Sequence, residues 1–376
     1  MIPDQIPLWL ILLAFVALLG PLVFIHELGH YLVARWFGIG AETFSIGFVR
    51  EMFGWTDKKG TRWKVGWLPL GGYVKFVGDM DAASTNIEAS SLPPEQRAKA
   101  FQYRPVHQRF LVVLAGPVAN FLLAIAIFAA FFSLVGAPLS NVVGAVSPGT
   151  AAEKAGIEPG DRILSIAGRD TSSFSEIFNA VAIRPNEQVN ITVQRGETVR
   201  ELDVLLGSGT IEDVNGQQVE RGLLGIGPSF TAYERVPAWN ALPMATAYTW
   251  SLTRSIFDGL VQLIRGAISP KQLGGPIKIA QISGEGAAAG LLPFIQLLAL
   301  LSINLGFINL LPVPMLDGGH LALYTIEAVR RRPLSERALE WTFRGGLAVI
   351  LALVVFTTVN DLDSIGLWEG LQRLIG

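Results

Sequence analysis

The sequence begins to define its fold at Phe24-Ile25-His26-Glu27-Leu28-Gly29-His30, which ends an apolar run long enough to cross a bilayer. Residues four apart share one face of a helix, so His26 and His30 can bind a single divalent metal ion. Glu27 is their neighbour on the helical wheel and can reach a water on that metal. The pattern therefore predicts a zinc hydrolase site.

The same three polar residues have a simpler interpretation, in which they only mark the point where a helix leaves the lipid. Leu8 to Ile25 contains no ionisable side chain. Ionisable residues inside or at the edge of a membrane helix are costly unless they serve a site. The position of His26, Glu27 and His30 therefore favours a metal site over a plain helix end.

The composition indicates a membrane protein. Of the 376 residues, 51% are hydrophobic and only 16% are charged, whereas roughly a quarter of the residues in soluble domains are charged. The net charge of -2 gives no basic signature for nucleic acid. With 0 Cys and 4 His, a metal site must be built from histidines and carboxylates.

Four apolar segments predict transmembrane helices, each with the roughly 20 apolar residues that a bilayer requires. The first covers about Ile6 to Ile25, is predicted to be retained rather than cleaved, and continues as a helix to about Phe37. The other three are Phe110 to about Val135, Leu291 to Met315, and Gly345 to about Val359.

The third segment is predicted to be a broken helix. Pro312 and Pro314 stand two residues apart, and broken backbone at membrane depth is tolerated only where it lines a protein cavity. Asp317 follows, and an acidic residue at such a break is a candidate for function. Asp317 is the predicted third metal ligand, with water in the fourth position as in catalytic zinc sites. His320 is the rival ligand.

Basic residues predict the orientation of the chain. Gly38 to Arg104 and Arg330 to Arg344 are rich in Lys and Arg, so the positive-inside rule makes both loops cytoplasmic. Both termini then lie outside the cytoplasm. His30 and Asp317 come near the same, cytoplasmic, side of the membrane, although neither assignment assumed it.

The first cytoplasmic loop is predicted to hold a β-hairpin. Thr61 to Trp67 alternates like a strand, and Leu68 to Phe76 is typical of a turn followed by a second strand. Such a hairpin can offer its backbone edge to an extended peptide, or it can simply cover the membrane face. Asp79 to Arg97 is acidic and Ser-rich, which predicts a mobile loop.

Gly116 and Asn120 stand four residues apart in the second apolar segment. Small residues permit close helix approach, so Gly116 is predicted to serve helix packing. Asn120 is predicted either to make a packing hydrogen bond or to line a cavity.

Val142 to about Gly227 predicts a small soluble α+β domain, because it combines short strands with two helices and has no long apolar run. The predicted strands are Val142 to Val146, one after a turn within Ile157 to Gly168, Val189 to Gln194, Val199 to Leu206 and Leu223 to Ile226. The predicted helices cover Ala151 to Ala155 and Ser173 to Ala182. Val236 to Ile268 is apolar but interrupted by charges, which predicts amphipathic helices on the outer surface.

The predicted domain organisation has four parts. Residues 1–136 form the first part of the membrane core, 137–230 the inserted domain, 231–288 the outer-surface helices, and 289–376 the second part of the membrane core. The fold class is thus a polytopic α-helical membrane protein with four transmembrane helices, the third broken, a membrane-associated β-hairpin and an inserted α+β domain.

Four motifs together resemble the bacterial site-2 proteases, which are intramembrane zinc metalloproteases. They are the histidine motif at 26–30, Gly71 to Lys75, the PDZ-like string Ser147 to Gly168, and Asn309 to Gly319. The chain is most similar to the regulator-of-sigma-E protease group. The best-known members of that group carry two tandem PDZ domains, whereas the insert here has room for one.

The resemblance implies one zinc ion per chain on His26, His30 and Asp317, with Glu27 as the base. It also implies that an extended substrate pairs with the Gly71 to Phe76 loop and that Asn309 lies near the substrate backbone. The candidate substrate-binding residues are Gly71, Gly72, Tyr73, Val74, Asn120 and Asn309.

The implied function is cleavage of single-pass membrane proteins, of the anti-sigma-factor or remnant-signal-peptide type, within or near a bacterial inner membrane. The expected partners are the lipid bilayer and a transmembrane substrate, and no nucleic acid is expected. The periplasmic PDZ domain either takes a peptide or trimmed substrate end or is a spacer or size filter that binds no peptide. Two other classes compete: a membrane scaffold or chaperone with a degenerate metal site, and a metal transporter. Glu27 and the single compact ligand set favour the protease over both.

Overall fold

The computed structural model describes residues 6–78, 97–138, 141–212, 218–228, 233–266, 269–270, 273–332 and 334–364. The chain divides into two compact units. The membrane unit comprises Met1–Phe128, Ala245–Leu260 and Ser269–Gly376, and the inserted unit comprises Ala129–Met244 and Val261–Ile268. Most of the predicted mobile loop, at 79–96, lies outside the described residues.

The helices, in chain order, are α1 (Leu8–Trp36), α2 (Val106–Leu134), α3 (Ala151–Lys154), α4 (Phe174–Ala182), α5 (Ala238–Ile264), α6 (Pro276–Ala288), α7 (Leu291–Leu310), α8 (Asp317–Arg330) and α9 (Glu336–Ser364). The strands are β1 (Ala41–Thr56), β2 (Arg62–Phe76), β3 (Ala137–Pro138), β4 (Val143–Val146), β5 (Arg162–Ile166), β6 (Arg169–Asp170), β7 (Gln188–Arg195), β8 (Thr198–Leu205), β9 (Gly207–Glu212), β10 (Gln218–Leu223), β11 (Ile226–Pro228) and β12 (Tyr233–Glu234).

Within the part of the chain that the structure describes, four helices are long and apolar enough to span a membrane. The most apolar windows of α1, α2, α7 and α9 have mean hydropathies of 2.8, 2.5, 2.1 and 1.9. Much of their apolar surface is exposed, as expected for helices whose solvent is lipid. Each of the four predicted apolar segments thus contains a long apolar helix, and the chain is a multi-pass membrane protein.

Helix α6 packs against α1 and is held at its start by a residue from α9. The backbone N–H groups of Gly275 and Lys278 donate hydrogen bonds to the two carboxylate oxygens of Asp361, at 2.9 and 3.0 Å. The first N–H groups of a helix have no partner inside it. Because Gly275 has no side chain that can cap α6, Asp361 supplies the cap from another helix.

The β1–β2 hairpin is more bent than a simple pair of strands. Residues 43–46 of β1 pair with residues 72–75 of β2 on one side and with residues 62–65 of β2 on the other. Residues 51–56 of β1 pair with residues 62–66 of β2. Phe44 and Trp63 stack at 4.3 Å, and Tyr31 of α1 contacts both rings edge-on. The segment 72–76 therefore lies at the margin of this sheet, while the other side of the sheet is anchored to α1 by aromatic packing.

The inserted unit has the α+β composition that the sequence predicted. Strands β6, β5, β7 and β8 form one sheet in that order, β11 pairs with β4, and β9 pairs with β10. Helix α4 contributes Ile177 and Val181 to a buried core that also contains Ile163, Ile191 and Val193. The predicted last strand at 223–226 is wrong in detail. Leu224 and Gly225 form a loop there, with Gly225 at a φ of +84°.

An ion pair in the inserted unit joins Asp161, the buried residue just before β5, to Arg195 at the end of β7. The Arg195 guanidinium donates from Nε to Asp161 Oδ1 and from Nη2 to Oδ2, both at 2.7 Å. The backbone N–H of Glu158 donates to Oδ2 as well, at 2.9 Å. Burial alone would raise the pKa of Asp161, but these hydrogen bonds outweigh burial and hold the pKa below its ordinary value.

Replacing the arginine, as Arg195→Met, should destabilise the inserted unit, because it leaves the Asp161 carboxylate without its cation. Hydrogen–deuterium exchange of the full-length protein should show faster exchange in β5 and β7. The matched control is Arg169→Met, since Arg169 is exposed, and its exchange should stay as in the wild type. Equal protection of β5 and β7 from exchange in Arg195→Met and Arg169→Met would contradict the stabilising role assigned to Arg195.

The same pair predicts a dependence on pH. A carboxylate whose pKa is lower in the folded than in the unfolded chain stabilises the fold above its unfolded pKa, about 3.9, and loses this effect as the pH falls. The protection factors of β5 and β7, which are corrected for the intrinsic pH dependence of amide exchange, should therefore fall below about pH 4 in the wild type. The pH response should be smaller in Arg195→Met, because the hydrogen bonds that lower the pKa are gone.

Candidate metal centre

Three side chains from two distant segments converge in the membrane unit. His26 and His30 lie one turn apart on α1, and Asp317 is the first residue of α8. The Nε2 atoms of the two histidines are 3.2 Å apart, and Asp317 Oδ2 lies 3.1 Å from one and 3.5 Å from the other. Within the described residues, these three form the group of ligand-type atoms able to share one ion.

The geometry and chemistry of this group fit a zinc ion. Ligand atoms that lie 2.0–2.2 Å from a tetrahedral zinc ion are about 3.3–3.5 Å from one another, close to the observed separations. Asp317 Oδ2 is buried, and no donor in the described part of the chain makes a well-aligned hydrogen bond to it. Two imidazoles and one carboxylate leave the fourth position open for water or substrate, as in catalytic zinc sites.

The far side of each imidazole is held by α2. His30 Nδ1 lies 2.8 Å from the carbonyl oxygen of Val112, to which it can donate a hydrogen bond. His26 Nδ1 lies 3.1 Å from the side-chain amide of Asn120. Such outer contacts fix the ring orientation of a metal ligand. Both Nε2 atoms consequently point to the same central position.

Glycines bring α1 and α2 close enough for these contacts. A Cβ atom on Gly116 would overlap the His30 imidazole, and a Cβ atom on Gly29 would overlap the carbonyl group of Ala115. The Cβ atom on Gly29 would also come within 2.8 Å of the Ala119 methyl carbon. The prediction that Gly116 serves packing is therefore confirmed, and Gly29 has the same role on the facing helix.

Asp317 is positioned by a short non-helical linker. Helix α7 ends at Leu310 and α8 begins at Asp317, so residues 311–316 connect them outside any helix. The linker folds tightly over the start of α8: Cβ atoms on Gly318 and Gly319 would overlap the backbone of 310–314. The two glycines thus allow the linker to lie directly against the helix that carries the ligand.

Glu27 lies beside the three ligand-type side chains. Its carboxyl group is close enough to interact electrostatically with His26, His30 and Asp317, and it accepts a hydrogen bond from the backbone N–H of Val74. A Cβ atom on Gly72 would come within 3.0 Å of Glu27 Cγ. The sheet margin that holds the candidate substrate-binding residues Gly71 to Val74 therefore borders the candidate base.

The remaining candidates lie at different distances from this centre. Asn309 is half-buried in the last turn of α7. His320 is not a member of the convergent group, and its ring packs 5.1 Å from Phe343. Asn120, one of the candidate substrate-binding residues, is 0% exposed and contacts His26. Its side chain is enclosed by α1, α2 and α7, and a contact of Asn120 with substrate stays a prediction.

Four apolar helices around a His–His–carboxylate group, with a glutamate beside it, define a membrane-embedded metallohydrolase. The chain matches the family described as Peptidase family M50 over residues 14–353. It therefore belongs to peptidase family M50, the site-2 protease family, and is a metalloprotease.

Named relatives agree with this assignment. A protein of Rhizobium meliloti named "Putative zinc metalloprotease" is 43% identical over 93% of this chain and 95% of its own. Metalloprotease MmpA of Caulobacter vibrioides is 37% identical over 94% of this chain and 96% of its own. A PDZ domain of an SdrC-like protein from Listeria monocytogenes covers 24% of this chain and 87% of its own, at 21% identity and a TM-score of 0.19.

Two glycines of α1 offer a test of the helix contact that positions the histidines. Gly29→Ala should lower the free energy of unfolding by about 1–3 kcal/mol, because the added methyl group forces α1 and α2 apart. Gly20 is the matched control, since a Cβ atom there meets nothing within 4 Å. The thermal unfolding midpoint of purified protein in detergent should fall for Gly29→Ala only; equal midpoints would contradict the packing role.

Proposed function

We propose that this protein hydrolyses peptide bonds of single-pass membrane proteins within or at the edge of the bilayer. Proteases of family M50 use zinc, and zinc is the cofactor. The proposed ligands, one ion per chain, are His26, His30 and Asp317, with Glu27 as the general base. The observation that carries this proposal is the convergence of three metal-binding atoms at 3.1–3.5 Å with a glutamate beside them.

Each step of the proposed reaction uses a side chain near this centre. Bound zinc supplies a Lewis acid that lowers the pKa of water from about 15.7 toward about 7 and polarises the scissile carbonyl group. Glu27 takes the proton from the attacking water and passes it to the leaving amine. His26, His30 and Asp317 hold their donor atoms towards one position, which fixes where the substrate carbonyl must lie relative to Glu27.

Substrate binding is proposed to use the sheet margin beside Glu27. A substrate helix satisfies its own carbonyl groups, so it must unwind locally before a peptide bond can be cut. Pairing of the unwound segment with Gly71, Gly72, Tyr73 and Val74, and a hydrogen bond from Asn309, would offset the lost helical hydrogen bonds. Suitable substrates therefore carry helix-weakening residues near the cut, as in trimmed anti-sigma factors or remnant signal peptides.

The proposed membrane arrangement follows the loop charges. Helices α7 and α8 with their linker form the third, broken membrane segment, and the β1–β2 hairpin lies against the cytoplasmic part of the bilayer. The termini and the inserted unit are periplasmic, in the inner membrane of a bacterium.

We also propose that the inserted unit is a PDZ domain, on the evidence of its strand–helix order from β4 to β11. Beside α4 it has a cavity of about 800 Å³, lined in part by Phe178, Ile183 and Arg221. Such a cavity can accept an apolar side chain of a peptide next to a cation. The unit would then exclude substrates with bulky outer domains, or recognise the trimmed end of a substrate.

Glu27→Gln separates metal binding from catalysis. The variant should keep zinc, because Glu27 is not one of the proposed ligands, but it should cleave a model single-pass substrate at least about 100-fold more slowly, as expected when a general base is lost. Zinc is measured by elemental analysis and cleavage by gel assay in detergent. Undiminished turnover would remove Glu27 from the mechanism.

The third ligand is tested by a pair of substitutions that distinguishes Asp317 from His320. Asp317→Asn should lower the bound zinc, since a neutral amide is a poorer ligand than a carboxylate. His320→Gln should leave the zinc content unchanged, because His320 is outside the convergent group. The opposite result, zinc retained in the first variant and lost in the second, would make His320 the ligand.

A further inference from the structure

Asn120 contacts the candidate metal ligand His26 on the side of the ring that faces away from the centre. Its side-chain nitrogen lies 3.1 Å from His26 Nδ1. Its side-chain oxygen Oδ1 is buried and has no hydrogen-bond partner in the described part of the chain. Buried polar atoms are nearly always hydrogen-bonded, so we expect a specific hydrogen-bond donor for Asn120 Oδ1.

The chemistry of a histidine ligand identifies that partner. A neutral imidazole that binds a metal through Nε2 carries its proton on Nδ1, where it must donate a hydrogen bond. His30 has the carbonyl oxygen of Val112 as acceptor, at 2.8 Å. His26 has the Asn120 amide in the equivalent place. An amide nitrogen cannot accept this proton, whereas an amide oxygen can.

We propose that Asn120 is a positioning residue of the metal site, whose Oδ1 accepts a hydrogen bond from the Nδ1–H of His26. Turning the amide by 180° exchanges its oxygen and nitrogen with almost no change in shape. In that orientation the buried oxygen and the imidazole proton satisfy each other. This assignment rests on the proposed function, because it requires His26 to bind zinc through Nε2.

The spacing of the two helices supports this pairing. His26 contacts Asn120, and His30 lies against Gly116. The two histidines are four residues apart on α1, and their partners are four residues apart on α2 in the opposite chain direction. Residues four apart share one face of a helix. One face of α2 therefore serves both histidines: Gly116 makes room for one ring, and Asn120 holds the other.

A third helix fixes the position of Asn120. The Ser302 hydroxyl on α7 donates a hydrogen bond to the backbone carbonyl oxygen of Asn120, at 2.7 Å. A Cβ atom on Gly306, one turn further along α7, would come within 3.3 Å of Asn120 Cβ. The backbone and Cβ of Asn120 are thus held by α7, which keeps the amide beside His26 with either assignment of its oxygen and nitrogen.

Asn120→Leu and Asn120→Asp separate hydrogen bonding from packing. Leucine has a similar size but no acceptor, so the zinc affinity of the full-length protein should fall about 10–100-fold, the usual cost of losing an outer-shell contact. Aspartate keeps an acceptor oxygen and should keep an affinity near that of the wild type. Affinity is measured in detergent by competition with a chromophoric chelator, and the visible spectrum of cobalt-substituted protein should change with leucine and recover with aspartate.

Ser133→Ala is the matched control on α2, since it removes a hydroxyl that donates to the Ala129 carbonyl of the same helix and leaves Asn120 and its neighbours in place. It should bind zinc as the wild type does. Should Asn120→Leu fail to fold, Asn120→Ala takes its place, with the same expected loss. Wild-type affinity in the variant without an acceptor, or equal losses in the leucine and aspartate variants, would overturn the assignment. A wild-type protein that binds no zinc would instead refute the proposed function, and this inference with it.

Discussion

The close contact between α1 and α2 is the constraint on which the site depends. Gly29 and Gly116 remove the side-chain atoms that would otherwise separate the two helices. Only at this short distance can the His30 ring lie over Gly116 and reach the carbonyl oxygen of Val112. Apolar surface gives little drive for association within lipid, so small residues and interhelical hydrogen bonds must supply it. The same contacts that join the helices therefore orient the imidazoles.

The Asp317 carboxylate is positioned by a different part of the chain from the histidines. Asp317 is 287 positions beyond His30 in the chain, and its placement depends on the linker at 311–316. Pro312 and Pro314 cannot donate backbone hydrogen bonds, so the helix must end before them. Gly318 and Gly319 then let the linker lie directly on the start of α8. The favourable interaction of a carboxylate with a helix N-terminus further suits an acidic residue at this position.

Much of the fold and of the candidate metal site was predictable from the sequence. The features that were not predictable have physical causes. The long apolar helices, the histidine pair and the break before Asp317 all follow from local patterns. The contact of Asn120 with His26 did not, because helix periodicity does not show which residue of a second helix faces a given side chain. The β9–β10 hairpin was also missed, since Gly207 to Leu223 has no clear apolar alternation. Gly225 breaks the predicted last strand because it adopts a positive φ.

The bent hairpin and the base are linked by one backbone group. The N–H of Val74 donates to Glu27, and residues 72–76 pair with β1 on their other side. In the proposed reaction, an extended substrate would pair along this same margin. The segment that receives the substrate backbone would then also hold the base, so that a peptide bond aligned on the sheet would be aligned with Glu27 as well. A Cβ atom on Gly72 would come within 2.6 Å of Val23 Cγ1, 2.7 Å of the Ser45 carbonyl oxygen and 3.0 Å of Glu27 Cγ. A side chain there would therefore separate the sheet margin from α1, the helix that carries Glu27.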